Sequence, residues 1–352
     1  MALHALPVVD TNKANAPASS NGRYGAAHAR ARDAYRDVPI LQKPPWKHSI
    51  AAYFFLGGVS CGAFVLGTAV ETVDGARRGT LARTAHYVAF ATMVPCAPLL
   101  IYDLGKRSRF HHMLRVFKPS SPMNLGAWAL TAHGAMATFT TLRVLAGEGA
   151  LPGGPAINDL VALLPRRALA VGGMPSALTL GGYTGVLIGT SSVPVWYKSP
   201  LLGALFMASA MNTGAAAVSL VSRLTGRATP DEHRLFTPFN VTLGATETVL
   251  LGAYLATTGP AAKPLLRGKL GVTTAVAAAS TLGSTALDAA GLLTGHNRSG
   301  RGAAAAALTL LGGVALRWGT VFAGHTSAAD REGTVEAMKG TPKDPGWGAR
   351  AR

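Results

Sequence analysis

Long apolar runs separated by short polar clusters dominate the chain from residue 47 onward. A helix crosses the hydrocarbon core of a bilayer with roughly 20 apolar residues. Runs of that length stand at 49–70, 84–104, 123–145, 169–192, 199–222, 235–257, 270–293 and 302–323. The first, IAAYFFLGGVSCGAFVLGTAV, carries no charge until Glu71, and most of the others are bounded by charges, as in EHR before the sixth and RSGR before the eighth. The pattern predicts an all-α integral membrane protein of about eight transmembrane helices. The stretch 146–168, AGEGALPGGPAINDLVALLP and the residues after it, is too short and too broken by Pro and Gly to span, and is expected to form a loop with a short interfacial helix.

Outside the spans the chain is polar. Residues 1–46 form a tail rich in Ala, Asn, Ser and Pro without an export signal, residues 47–325 the membrane domain, and residues 326–352 a second polar tail. Gly181, Gly185 and Gly189 repeat every fourth residue along the fourth run, and Gly58 with Gly62 does so in the first. In lipid such spacing lets helix backbones approach closely.

Composition sharpens this picture. Only 14% of residues are charged, against 49% hydrophobic, whereas soluble domains carry roughly 25% charged residues. The net charge of +17 raises the question of nucleic acid, but the basic residues lie in short clusters between apolar runs, which suits loops facing anionic lipid heads instead. Eight crossings put both termini on one side, and that side collects 21 of the 33 Lys and Arg. By the positive-inside rule the termini are expected on the cytoplasmic side. Cys61 and Cys96 are the only cysteines, too few for an iron–sulfur cluster, which takes about four thiolates. No metal site and no pair of histidines at matching depth for haem is legible. Redox chemistry would fall to a bound organic molecule or to a partner's cofactors.

Ionisable groups within a bilayer are costly and mark functional candidates. Asp103, His133, Glu247, Asp288 and Arg317 stand out. Glu247 or Asp288 pairing with Arg317 would serve structure alone, and Asp103 pairing with Lys106 or Arg107 would do the same. Direction gives Asp103 a second reading. The first run enters near His48 and the second returns to end near Asp103, so both lie at one depth on one side, placed to hydrogen-bond a small head group and exchange protons with it.

The run PLLIYDLGKRSRFHHMLRVFKPSSPMNLGAWAL (Pro98 to Leu130) resembles the NrfD and polysulfide reductase membrane-subunit family, with its Asp-Leu-Gly-basic stretch followed by Phe-Lys-Pro-x-Ser-Pro-Met and a Trp. WKHSIAAYFFLGGVSCGAF, GYTGVLIGTSSVPVW and ALRWGTVFAGHTS agree with it, so the likeness extends over most of Trp46 to Ser327. The resemblance implies two four-helix bundles and a quinone-reactive membrane subunit (menaquinone or ubiquinone as substrate) of a respiratory electron-transport complex. It implies a four-cluster ferredoxin-like iron–sulfur partner and a catalytic oxidoreductase subunit such as a molybdopterin enzyme. Asp103 takes the family's acidic position near the quinone; His48, Tyr53 and His133 complete the candidate quinone and proton-exchange set. Glu247, Asp288 and Arg317 are candidates for a proton path, and Lys106, Arg107, Arg109, Arg115 and Lys118 for partner docking. Relatives carry their catalytic subunits outside the cytoplasm, in tension with the Lys and Arg count. Two further classes stay open: a proton or ion translocator, and a passive anchor.

Overall fold

The computed structural model describes residues 40–226, 230–294 and 299–339, and the elements below belong to one compact unit beginning at Leu41. Most of the expected N-terminal tail and residues 340–352 lie outside the described residues. Eight long helices stand on the eight apolar runs. They are α1 (His48–Gly75), α2 (Arg78–Asp103), α3 (Pro122–Gly147), α5 (Arg166–Gly189), α6 (Leu202–Leu224), α7 (Pro230–Thr258), α8 (Gly268–Thr294) and α9 (Ser299–Ala329). A short helix α4 (Pro155–Ala162) sits in the loop after α3, and α10 (Arg331–Lys339) follows α9. No strand occurs among the described residues. By length and apolarity α1, α2, α6, α8 and α9 each suffice to cross a membrane, α9 from Gly300 onward. The other three match them in length but are less apolar over their most hydrophobic stretch. This is an all-α, multi-pass membrane protein.

The helices outlast the apolar runs by a turn or so at most ends, because charged and capping residues continue them into the interface. Ser121 caps α3 by accepting from the Asn124 amide at 3.4 Å, with Pro122 at the first helical position, where its missing N–H costs nothing. The backbone turns between α1 and α2 at Asp74 and Arg78, whose φ/ψ of −146°/36° and −123°/26° leave the helix. Residues 326–329 and 331–339, expected as tail, are helical: α9 runs on to Ala329, and α10 docks its buried Thr334 and Ala337 inward.

α1, α2, α3 and α5 form one group and α6 to α9 another, joined chiefly where α1 packs along α6. That joint is made of backbone. A Cβ on Gly62 would strike the Ala210 carbonyl, and one on Gly214 would strike the backbone of Gly62 and Ala63. Gly185 likewise meets the Leu202 and Gly203 backbone, so the glycine ladder of α5 also serves α6. Because successive long helices alternate in direction, the start of α1, the 104–121 loop, the 190–201 and 259–267 connections and the end of α9 share one face.

Candidate functional site

Asp103 is the last residue of α2. A negative charge at a helix C-terminus is opposed by the macrodipole, so the helix itself gives no reason for an acid there. Relief comes from the first turn of α1, where the Ser49 hydroxyl donates to Asp103 Oδ1 at 2.9 Å. No ion pair involves Asp103 among the described residues. Arg107 turns away and stacks its guanidinium 4.4 Å over the Tyr102 ring.

The carboxylate opens into a cavity of about 250 Å³ between α1, α2, α3 and α5, whose wall includes Trp46, Tyr53, Met113, Met123 and Tyr183. The aromatic groups of this wall are fixed from behind. Trp46 stacks on Trp196 at 5.2 Å between ring centroids, and Trp196 is fully buried with its Nε1 donating to the Thr320 carbonyl at 2.8 Å. Tyr53 is 2% exposed and tilted on Phe54 at 5.4 Å. Tyr183 crosses onto α3, where its hydroxyl donates to the Pro122 carbonyl; Gly126 makes this crossing possible, since a Cβ there would enter the Tyr183 ring.

The loop that follows Asp103 is held in place by one side chain. Asn124 donates to the carbonyls of Met113 (2.6 Å) and Val116 (3.1 Å) and accepts from the Lys118 amide at 2.7 Å. Lys106, Arg107, Arg109, Arg115 and Lys118 are all exposed along it, on the face to which the cavity belongs.

His48 shares the depth of Asp103 but not its cavity. Its Nδ1 accepts from Trp318 Nε1 at 3.0 Å and its ring lies 4.5 Å from Phe322, so it fastens α1 to α9 and is absent from the cavity wall. His133 is likewise elsewhere. It is fully buried, 3.0 Å from the Ser60 hydroxyl, which in turn donates to the Ala89 carbonyl at 2.7 Å. Phe64 packs edge-on against both His133 and His86, each at 5.4 Å.

In the second group the three buried charges do not form one cluster. Glu247, 3% exposed, accepts from Asn212 Nδ2 at 2.6 Å. Arg317, 2% exposed, donates to the Phe206 carbonyl at 3.0 Å and lies 4.0 Å over the Phe206 ring, while its Nε and Nη1 meet no hydrogen-bond partner among the described residues. Glu247 is within its electrostatic reach without direct ion-pair contact. Asp288 instead is hydrogen-bonded by Asn240 and faces Arg223. The structural pairing of Asp288 with Arg317 is therefore not made.

Sequence reasoning passed over Ser49, Tyr183 and Asn124, and also a triad at the far end of the first group. There the buried Glu71 forms an ion pair with the half-buried Arg166 at 2.8 Å and meets the buried His86 Nε2 at 3.3 Å. Asn124 and Tyr183 stood within the motifs quoted above, where only their spatial partners give them a role. Among the described residues no group of three or more His, Cys, Asp or Glu is placed to hold a metal.

The family model described as "Polysulphide reductase, NrfD" matches residues 39–328, from just before α1 to the end of α9. The chain belongs to the NrfD family. Among relatives, the C subunit of polysulfide reductase from Wolinella succinogenes is 29% identical over 199 residues, 53% of this protein and 62% of that one. Protein NrfD homolog of Haemophilus influenzae is 24% identical over 212 residues, 56% and 66% of the two proteins. Protein NrfD of Escherichia coli is 23% identical over 196 residues, 53% and 62%. The matches thus span a little under two thirds of these relatives' lengths. Within this NrfD-family protein, the Asp103 cavity is built almost wholly from the segments that carry the family motifs.

Proposed function

We propose that this protein anchors an oxidoreductase complex in the membrane and exchanges electrons and protons with a quinone seated beside Asp103. One observation supports the reading most: a carboxylate held by a single serine, with no cation paired to it among the described residues, opens into a cavity walled by aromatic and methionine side chains. Aromatic and apolar walls with few polar groups are what a planar hydrophobic ring requires. Reduction of the quinone to quinol consumes two electrons and two protons. Asp103 lies at the cavity wall to pass a proton to a ring oxygen and be reprotonated from the adjoining face, and Tyr53 supplies a second hydroxyl on that wall.

Electrons come from an iron–sulfur subunit seated on the exposed basic loop from Lys106 to Lys118, whose charge suits an acidic partner. The name of the Wolinella relative, a subunit of polysulfide reductase, supports a catalytic subunit beyond that partner. To test the reading, the complex is purified and its lipids extracted, and quinone turnover is compared between the native protein and Asp103→Asn. Co-purified quinone together with collapse of turnover in the variant is expected. Absence of quinone with unchanged turnover overturns it.

A second reading, proton or ion translocation through α6 to α9, is favoured by Arg317, whose two buried nitrogens near Glu247 without a partner among the described residues call for water or an anion. It predicts flux in proteoliposomes that Glu247→Gln abolishes.

A further inference from the structure

The end of the molecule opposite Asp103 holds a groove that the quinone reading leaves unused. It lies where the end of α1 and the start of α2 meet α7 and encloses about 250 Å³. Leu66, Ala69, Val70 and Val73 of α1, Leu81 of α2 and Phe239 of α7 wall it. Among the described residues the charges on its wall are Asp74 and Arg78, at the turn between α1 and α2. We propose that the groove seats one acyl chain of a phosphatidylethanolamine, with the zwitterionic head group resting on Asp74 and Arg78.

Depth is the first support. A turn joining two spanning helices stands where the bilayer meets water, the level of lipid head groups. From that turn the groove follows α1 inward from Val73 to Leu66, about 10 Å at the helical rise of ~1.5 Å per residue. Half the hydrocarbon core is about 15 Å, so the groove runs down most of one leaflet, as a chain hanging from a head group at the turn does. Leu66, Val70 and Val73 recur at helical spacing and present one face of α1 to it. Leu81 is buried, whereas Val73 and Phe239 are 86% and 41% exposed, so the groove opens outward. Its apolar walls give water no hydrogen bond, and an empty groove forfeits dispersion contacts. Hydrocarbon fills it best.

Charge names the head group. Arg78 Nε meets Asp74 Oδ2 at 3.0 Å, and both side chains are half-buried. That contact leaves the two Nη groups of the guanidinium fork to a phosphodiester, and the second carboxylate oxygen of Asp74 to a primary ammonium. The pair is neutral as a whole, so a head carrying one charge of each sign matches it. Phosphatidylglycerol brings its phosphate beside Asp74 with no cation to offset it. Phosphatidylcholine has no N–H to donate to Asp74, and a quinone carries neither charge.

The test is native mass spectrometry of the full-length protein in detergent micelles, titrated with dioleoyl phosphatidylethanolamine, phosphatidylglycerol or phosphatidylcholine. One phosphatidylethanolamine is expected to bind about tenfold more tightly than either of the others, the scale of one hydrogen bond to a charged group. Asp74→Asn is expected to shrink that preference to about twofold, since a neutral acceptor bonds an ammonium more weakly. Ala69→Trp fills the groove from an exposed position and is expected to weaken phosphatidylethanolamine about tenfold, as overpacking does. The Asp74 variant, at a turn outside the packed helices, keeps the test decisive should Ala69→Trp fail to fold. Equal binding of the three lipids by the native protein overturns the proposal, and so does an undiminished phosphatidylethanolamine adduct in Ala69→Trp. A co-purified quinone that Ala69→Trp removes also overturns it, the groove then being a second quinone site. None of these outcomes bears on the cavity beside Asp103.

Discussion

Asp103 and Ser49 form the smallest unit on which the site depends. A hydrogen bond to a charged group contributes about 1.5–3 kcal/mol, so Ser49→Ala is expected to slow quinone turnover by about tenfold to a hundredfold. Asp103→Asn keeps the shape and removes the proton carrier; general acid–base contributions run at about 10²–10⁴-fold, and a loss in that range is expected. Steady-state turnover at saturating quinone, with binding measured separately, checks both: binding is expected to survive Ser49→Ala. His48 illustrates what single residues conceal. Direction along the sequence fixes its depth, but depth says nothing of rotation about the helix axis. Neighbouring helical residues point about 100° apart, and it is Ser49, one position on, that meets Asp103. His48 meets α9. The same missing rotation hid Tyr183, which reaches α3 only because position 126 has no side chain.

At the scale of elements, the loop from 104 to 121 owes its order to α3. Asn124 makes three hydrogen bonds to it, each worth about 1 kcal/mol net. Asn124→Ala is expected to leave the helices intact and to speed tryptic cleavage within 106–118 at least severalfold, read by mass spectrometry of timed digests. The helices themselves were legible in the sequence, since each apolar run of spanning length became one. Their ends were less so, because polar capping turns such as Ser121–Pro122 extend helices past the apolar pattern. Glycine spacing pointed to close crossings without naming the partner. Gly62 in α1 and Gly185 in α5 both turn out to serve α6, whose own Gly214 stands in no such repeat. Gly214→Leu must therefore push α1 and α6 apart. Overpacking costs about 1–3 kcal/mol and more where backbone must move, so a lowered thermal midpoint in detergent is expected.

Across the whole molecule, polar chemistry is divided between the two helix groups. Asp103 and its cavity belong to the first, Glu247 with Arg317 to the second, and Asp288 with Arg223 to another part of that second group. Composition disclosed the buried charges but not their partition, which depends on how α6 to α9 rotate against one another. Sites without shared partners act additively within about 0.3–0.5 kcal/mol. Glu247→Gln is therefore expected to change quinone binding beside Asp103 by no more than about twofold, measured by extracting and quantifying the bound quinone. The exposed cations of the 106–118 loop act on partner encounter instead. Their replacement by Ser is expected to weaken assembly with an acidic partner most at low ionic strength, since salt already screens exposed charges.

Trp46 forms part of the cavity wall and lies flat on Trp196, which is sealed against the carbonyl of Thr320 in α9. The molecule thus carries its own optical gauge. A redox-active ring arriving beside that indole offers its excited state a route to decay, so filling of the chamber is written into ultraviolet emission without any attached dye. With Trp46→Phe the dimming on titration shrinks, and what is left measures how far the other four indoles stand from the guest.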